Sequence, residues 1–238
     1  KMQLEMGSKN PLLIMDDADI NIAVACATNG AYGGTGQKCT ASSRLIVHEK
    51  VYKQFIEKLI ESISALKVGH ALEEGSQMGP VSSETQLQSN LDYVEIGKKE
   101  AKLAYGGSPM NMKTPGHYME PTLFIDGDNK TTINQEEMFG PIACVIPVKS
   151  YEEGLEVAND TIFGLSSGII TKSLSKASDF KKNIKTGVTT VNLPTAGLDY
   201  HVPFGGRKAS SFGPREQGTY AHEFFTHVKT TYVSPGKI

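Results

Sequence analysis

The sequence is poor in cysteine, and its few cysteines are widely spaced. Only three occur among the 238 residues, Cys26, Cys39 and Cys144. An odd number at this spacing argues against a disulfide framework. Because they form no Cys-x-x-Cys pair, we expect no thiolate zinc site and predict no metal ligands. This cysteine usage fits a reducing, cytoplasmic compartment best.

Long apolar runs and a strong net charge are also lacking. No stretch approaches the ~18 consecutive apolar residues of a membrane span, and residues 1–5 show no apolar stretch typical of a secretory signal. The formal net charge of −2 gives no indication of a nucleic-acid or membrane partner. A hydrophobic content of 39% and a charged content of 21% are typical of an ordinary soluble globular protein with a substantial core.

Short apolar runs alternate with amphipathic segments along the chain. We predict strands at residues 12–15, 43–48, 102–105, 142–148, 166–171 and 187–192, and a less regular extended segment containing Pro121 at 119–125. We predict helices from Asp16-Asp17 to residue 29 and at 50–66, 83–99, 151–159 and 175–185. The alternation predicts an α/β fold with a mostly parallel open sheet flanked by helices.

The segment after Gly218 differs from the rest of the chain. Residues 220–228 favour a short helix, and residues 229–233 favour a polar strand. A short terminal strand leaves an unpaired edge, so we expect it to serve as an oligomerisation strand that pairs with another subunit of a homo-oligomer. We therefore divide the chain into a main domain, 1–218, and a C-terminal tail, 219–238.

Cys39 lies in a glycine-rich, polar loop. Free cysteine is usually buried as a small hydrophobe, but here its neighbours are Lys38 and Thr40, and three of the six preceding residues are glycine. Glycine allows the backbone to approach a ligand closely, and the Lys38 cation would favour thiolate over thiol. On these residues alone, an incidental cysteine on a surface loop is an equally good explanation.

Three further clusters of polar and glycine residues fall on predicted loops, where rigid scaffolds carry function. They comprise residues 5–11, 136–141 and 203–216. Taken singly, each has an ordinary structural explanation that is at least as good. The first is compatible with a solvated charged turn, and the second with a helix end that stops at Gly-Pro.

Together, the four clusters form an ordered set: Glu-x-Gly-x-Lys, Gly-Gln-x-Cys, Glu-x-Phe-Gly-Pro and Pro-Phe-Gly-Gly-x-Lys. This set resembles the NAD(P)-dependent aldehyde dehydrogenase superfamily over nearly the whole chain. The resemblance implies that Cys39 is the nucleophile and Glu5 the general base. It implies that Glu137 and Phe139 hold the nicotinamide ribose and ring of NAD or NADP. Phe204 matches a position that lines the aldehyde pocket.

The resemblance also implies a reaction on a small-molecule aldehyde. A thiolate adds to the carbonyl, backbone N–H groups of the glycine-rich loop stabilise the oxyanion, and hydride leaves to the nicotinamide. Glu5 then activates the water that hydrolyses the thioester to a carboxylic acid. The family is thus an oxidoreductase family with a catalytic cysteine and a thioester intermediate.

Family members carry an N-terminal dinucleotide-binding domain, and we find no Gly-x-Gly-x-x-Gly motif here. We therefore expect residues 1–218 to be the catalytic domain alone, inactive as a dehydrogenase in isolation. Two other functions remain open. One is a cofactor-independent thiol esterase that uses Cys39 and Glu5, and the other is a non-enzymatic assembly module, against which the presence of both residues argues.

The sequence departs from the family pattern at two places. Ser8 stands where the family usually has glycine, beside the expected cofactor ring. In residues 208–216, Ser211 replaces a glycine and Pro214 is an extra residue. With residues 192–202, this variant looks like the α-ketoglutarate semialdehyde (2,5-dioxopentanoate) dehydrogenases, which implies an aldehyde that carries a carboxylate. The candidate cations for that carboxylate are Lys38, His201 and Arg207.

Overall fold

The computed structural model describes residues 1–236. The helices are α1 (Ile20–Tyr32), α2 (Glu49–Ser64), α3 (Glu84–Glu100), α4 (Thr132–Gln135), α5 (Tyr151–Asn159), α6 (Leu174–Asn183) and α7 (Ala221–Phe225). The strands are β1 (Leu4–Glu5), β2 (Asn10–Ile14), β3 (Ser42–His48), β4 (Lys102–Tyr105), β5 (Pro109–Met110), β6 (Tyr118–Met119), β7 (Thr122–Ile125), β8 (Ile142–Val148), β9 (Ser166–Ile170), β10 (Val188–Val191) and β11 (Ser211–Phe212). Of the helices in this range, none is long and apolar enough to cross a membrane.

Seven strands form one central sheet in the order β10-β9-β2-β3-β8-β7-β4. All neighbours from β10 to β7 are parallel, and β4 runs antiparallel to β7. Every residue of β2 and β9 is buried, because helices cover both faces of the sheet. The predicted α/β fold with a mostly parallel open sheet flanked by helices is therefore confirmed.

Alternate residues of β2 pack on opposite faces of the sheet. Leu12 and Ile14 join the apolar cluster that contains residues of α1 and α2, whereas Leu13 joins the cluster of α5 and α6. A Cβ on Gly154 of α5 would lie 2.6 Å from Leu13 Cδ1, so the glycine lets this helix approach the strand closely. Burial on both sides fixes β2 and the loop that leads into it.

Two helices begin at side-chain caps, and each starts at a residue other than the predicted one. α1 begins after Asp19, whose carboxylate accepts hydrogen bonds from two backbone N–H groups, and not directly after Asp17. α6 begins after Ser173, whose hydroxyl accepts from the N–H of Lys176, and not beside Ser175. In both helices the cap satisfies N–H groups that the first turn leaves unpaired.

A two-stranded ribbon joins the start of the chain to a segment some two hundred residues later. β1 pairs antiparallel with β11, so that Leu4 lies opposite Phe212 and Glu5 lies opposite Ser211. The sequence did not predict either strand, because two residues carry no measurable alternation. The ribbon brings the first and the last of the four motif clusters together.

The C-terminal segment differs from its prediction. The helix predicted at 220–228 is shorter, since α7 ends at Phe225, and residues 226–236 contain no helix or strand. The strand predicted at 229–233 is not present in the single chain, because a strand requires a hydrogen-bonded neighbour and no segment of residues 1–236 supplies one. Its pairing with another subunit, and the domain division at residue 218, stay predictions.

Candidate active site

Three loops meet at the amino ends of β2, β3 and β8. These strands are parallel neighbours in the sheet, so the loops that lead into them lie at the same sheet edge. Residues 5–9 precede β2, residues 33–41 precede β3 and include Cys39, and residues 136–141 precede β8. The fourth motif cluster reaches the same place through the ribbon of β1 and β11.

Cys39 is an exposed free cysteine. Buried side chains hold the backbone of the loop around it in place. The amide nitrogen of Asn10 donates to the carbonyls of Cys39 at 2.8 Å and Ala41 at 2.7 Å. The hydroxyl of Thr195 donates to the carbonyl between them, that of Thr40, at 2.7 Å. Three consecutive carbonyls thus bind two buried side chains, which fixes the backbone at the cysteine.

The Asn10 side chain uses its full hydrogen-bonding capacity. Its Oδ1 accepts from the Ser8 hydroxyl at 2.6 Å and from the backbone N–H of Ser166 at 2.9 Å. Together with the two bonds to the Cys39 loop, these contacts join β2, β9 and the loop at one buried amide. Sequence reasoning missed Asn10. The available signal was a polar amide at the start of an otherwise apolar strand.

Replacing Asn10 with alanine is expected to loosen the Cys39 loop. The change leaves buried carbonyl and N–H groups without partners, and each such group costs about 1–3 kcal/mol. A small displacement of a reacting group can slow catalysis about 100-fold. We therefore expect a lower Tm and a kcat for NADH formation about 10- to 100-fold lower in the full-length protein.

Asn129→Ala is the matched control for this variant. Asn129 is also a buried amide, bonded to Arg44 and Asp160 rather than to the Cys39 loop. We expect it to lose stability while kcat per folded molecule stays near that of the parent. Equal losses of kcat in both variants would show that Asn10 has no specific effect on the loop.

The surroundings of Cys39 raise the pKa of its thiol. The residue is exposed, yet neighbouring atoms partly remove the thiol from water, and this desolvation is the largest cause. The negative charge of Glu137 comes next and that of Glu5 adds to it, while the backbone N–H groups of Cys39 and Thr40 lower the pKa by hydrogen bonding to the sulfur. The pKa of the thiol is thus raised and not lowered, and Lys38 is not among the largest causes, so a thiolate favoured by Lys38 stays a prediction.

Close backbone packing joins the Cys39 loop to residues 136–141. Gly36 has φ = 64°, and a Cβ there would lie 2.1 Å from the carbonyl oxygen of Gly140. Only glycine fits such a position. Gln37 anchors the loop on another side, since its Oε1 accepts from the N–H of Ser82 at 2.8 Å. The Gly and Gln of the Gly-Gln-x-Cys motif therefore position the loop.

Glu137 faces the loop that precedes β2. Its Oε1 accepts from the N–H of Ser8 at 2.8 Å, and its Oε2 lies 2.5 Å from the position that a Cβ on Gly7 would take. Phe139 is 38% exposed with φ = 52°, and Gln86 donates to its carbonyl at 3.1 Å. Glu137 and Phe139 line one cleft that also borders the Cys39 loop.

Two features of this cleft suit a ribose hydroxyl. Among the described residues, Glu137 Oε2 accepts no hydrogen bond, so it is available to ribose hydroxyls. Gly7 keeps the space beside that oxygen free of a side chain. Ser8 does not crowd the site with its hydroxyl, because the hydroxyl donates to the buried Asn10 at 2.6 Å.

Glu5 lies on β1 and is bonded to Ser211. The Ser211 hydroxyl donates to Glu5 Oε2 at 2.6 Å. Burial raises the pKa of Glu5 and is the largest influence on it. The Ser211 hydrogen bond lowers that pKa, the charge of Glu216 raises it and the charge of Arg215 lowers it. Because the charge of Glu5 also acts on the Cys39 thiol, the two predicted catalytic groups lie within electrostatic reach of each other.

Phe204 precedes Gly205, which borders the Glu5 carboxylate. It is half-buried, and two backbone hydrogen bonds of 2.8 Å pair it with Glu216. The next residue, Gly205, has φ = 152°, and a Cβ there would lie 2.5 Å from a guanidinium nitrogen of Arg215 and 3.2 Å from Glu5 Oε1. The Pro-Phe-Gly-Gly segment therefore forms part of the wall around the Glu5 carboxylate.

The motif lysine, Lys9, is fully buried. It is 1% exposed, and burial together with the charge of Arg44 lowers the pKa of its amine to about 7. Within residues 1–236 its Nζ makes no hydrogen bond. The three predicted cations for a substrate carboxylate are all exposed and make no side-chain hydrogen bond in the described part of the chain: Lys38, His201 and Arg207.

The chain is similar to one family and to many of its members. The model of the aldehyde dehydrogenase family matches residues 1–231. The alpha-ketoglutaric semialdehyde dehydrogenase of Bacillus subtilis is 44% identical over 99% of this chain and 49% of its own length. The 2,5-dioxopentanoate dehydrogenase of Saccharolobus solfataricus is 38% identical over 98% of this chain and 48% of its own length. The chain thus spans about half the length of the curated relatives it matches.

The chain also shares its fold with solved structures. The NAD⁺ complex of aldehyde dehydrogenase from Bacillus cereus superposes with a TM-score of 0.93 at 36% identity, covering 98% of this chain and 47% of that one. A 1-pyrroline-5-carboxylate dehydrogenase from Thermus with bound NAD superposes with a TM-score of 0.85 at 37% identity, covering 88% of this chain and 40% of that one.

Proposed function

Because the chain belongs to the aldehyde dehydrogenase family, we propose that it supplies the catalytic residues of an NAD(P)-dependent enzyme that oxidises an aldehyde to a carboxylic acid. The family resemblance predicted from the four motif clusters is confirmed. One observation carries the proposal. Cys39 is an exposed thiol in a loop fixed by Asn10, and the charges of Glu137 and Glu5 act on it.

Cys39 is the nucleophile in the first step. Its sulfur adds to the aldehyde carbonyl carbon and forms a thiohemiacetal. Because the pKa of the thiol is raised, the sulfur loses its proton less readily, and the proton has to leave as the carbon–sulfur bond forms. That proton passes to solvent water, and backbone N–H groups of the loop stabilise the negative charge that develops on the substrate oxygen.

Glu137 and Phe139 form the nicotinamide side of the site. The free Oε2 of Glu137 would accept hydrogen bonds from ribose hydroxyls, and the exposed ring of Phe139 would flank the cofactor. A bound nicotinamide would supply the hydride acceptor for the carbon attached to Cys39. NAD and NADP differ only at the adenosine ribose, so these two residues bind either cofactor.

Glu5 acts as the base when the thioester is hydrolysed. Its carboxylate removes a proton from water, and the oxygen of that water attacks the thioester carbonyl carbon. The carbon–sulfur bond then breaks, the acid leaves and the sulfur regains a proton. In this proposal Phe204, which precedes the glycine beside Glu5, lines the aldehyde pocket.

The proposed substrate is a small aldehyde that carries a carboxylate, such as 2,5-dioxopentanoate. Two relatives named for such aldehydes, from B. subtilis and S. solfataricus, support this choice. A hydrogen bond to a charged group contributes about 1.5–3 kcal/mol. We therefore expect kcat/KM for 2,5-dioxopentanoate to exceed that for hexanal by at least about tenfold.

The test measures NADH or NADPH formation by the full-length protein with each aldehyde. A higher kcat/KM for hexanal contradicts the carboxylate proposal alone. No reduced cofactor with either aldehyde, under conditions where the protein is folded, contradicts the dehydrogenase proposal as a whole.

The relatives do not favour the two other functions left open by the sequence. Those named above are dehydrogenases, so neither a thiol esterase nor an assembly module is the preferred function. A homo-oligomer formed through residues 229–233, a cytoplasmic location, and the lack of nucleic-acid or membrane partners stay predictions. The inactivity of these 238 residues in isolation also stays a prediction.

A further inference from the structure

Ser211 is the hydrogen-bond partner of the Glu5 carboxylate. The N–H of Gly206 donates to Ser211 Oγ at 2.6 Å, and the Ser211 hydroxyl donates to Glu5 Oε2 at 2.6 Å. Because a backbone N–H already points at the hydroxyl oxygen, the single hydroxyl proton is directed towards Glu5. The two bonds therefore link one carboxylate oxygen to the backbone of the Pro-Phe-Gly-Gly segment.

No other side chain within residues 1–236 hydrogen-bonds to the Glu5 carboxylate. The nearby groups that can carry charge are Arg215, Glu216 and Cys39. The Arg215 guanidinium donates to the carbonyl of Gly206, so it acts on Glu5 through its charge and not through a hydrogen bond. Ser211 is thus the group whose geometry determines where Glu5 points.

We propose that Ser211 is a positioning residue for the hydrolytic step: it fixes Oε2 of Glu5, favours the ionised carboxylate and leaves Oε1 to take the proton from water. The proposal rests on the base function proposed for Glu5. Ser211 stands at a position where this sequence departs from the general family pattern, so the contact is not one that the family motif provides.

The expected sign of a pH effect follows from the contacts. A hydrogen bond donated to a carboxylate favours its ionised form, so the Ser211 bond lowers the pKa of Glu5. Without the hydroxyl, burial and the charge of Glu216 raise that pKa, opposed only by the charge of Arg215. Glu5 is then ionised only at higher pH. A step that needs the carboxylate shifts in the same direction.

The test uses hydrolysis of p-nitrophenyl acetate by the full-length protein without cofactor, followed as a function of pH. The steady phase after the initial burst reports deacylation of Cys39. In Ser211→Ala and Ser211→Gly we expect the acid-side inflection to move to higher pH. Below that inflection we expect deacylation to fall about two- to tenfold, the factor that corresponds to one hydrogen bond.

Two further variants separate positioning from structural damage. Ser211→Thr keeps the hydroxyl and is compatible with the extended backbone at this residue (φ −150°, ψ 150°), so it should restore the parent pH profile. Ser62→Ala removes another half-buried hydroxyl, which bonds Thr28 between α1 and α2, and should leave the profile unchanged. An inflection in Ser211→Ala and Ser211→Gly that equals that of the parent overturns the proposal.

A direct titration of Glu5 keeps the inference independent of the proposed function. The carboxylate band in infrared difference spectra is assigned to Glu5 by its loss in Glu5→Gln. The midpoint of the Glu5 titration has to lie at higher pH in Ser211→Ala than in the parent, and an equal or lower midpoint overturns the proposal. If the parent forms no NADH, the dehydrogenase function fails while this titration still decides the role of Ser211.

Discussion

Replacing Cys39 with alanine abolishes NADH formation by the full-length protein, with an expected loss of about 10⁴-fold or more. Without the sulfur no thiohemiacetal forms, so there is no activated carbon from which a hydride can leave. The measurement is the rate of NADH formation at saturating 2,5-dioxopentanoate and NAD. Tm should change little, because Cys39 is exposed and packs in no core cluster of the described residues.

The two other cysteines provide the controls. Cys26 and Cys144 are buried in separate core clusters, so their alanine variants should keep activity and lose some stability to the cavities they leave. Iodoacetamide should label Cys39 before either of them, and increasingly fast as the pH rises, because burial and nearby carboxylates raise the pKa of its thiol. Equal labelling of all three cysteines, or near-parent activity in Cys39→Ala, contradicts the assignment.

Much of the fold follows from apolar patterns in the sequence. The runs that became β2 and β8 are mostly apolar, and β3 has an apolar centre at residues 45–47, because both faces of the sheet are covered; such runs are visible without a structure. The two-residue strands β1 and β11 are not visible in this way. The terminal strand failed to form in the single chain because its stability depends on a neighbour that the local sequence does not contain.

The candidate site was predictable where it depends on a motif and unpredictable where it depends on distant contacts. Cys39 and Glu137 were identified from short motifs, and the structure brings them within electrostatic reach. The partners of the Cys39 loop are far away in the chain: Thr195 is separated by 155 residues from the carbonyl it binds. Neither hydrophobic periodicity nor motif spacing in the sequence indicates such contacts. The carboxylates of Glu137 and Glu5, which raise the pKa of the thiol, are likewise distant from Cys39 in the chain.

Replacing Glu5 with glutamine is expected to separate the two halves of the reaction. Glutamine has nearly the same shape, and its amide oxygen can still accept the hydrogen bond from Ser211, but it cannot take a proton from water. Loss of a general base slows a step by about 10²- to 10⁴-fold. We expect a burst of about one NADH per active site in rapid mixing, followed by slow turnover, and an acyl group on Cys39 detectable by mass spectrometry.

Glu216→Gln is the matched control, because Glu216 is a neighbouring half-buried carboxylate whose charge raises the pKa of Glu5. Its removal should lower that pKa, so the acid-side limb of the pH profile should move to lower pH without an acyl-enzyme burst. The two variants thus change the same carboxylate in distinguishable ways, one by removing the base and one by making it easier to ionise. Linear NADH formation by Glu5→Gln at the parent rate would show that another group activates the water, and the role of Ser211 in hydrolysis would then fail with it.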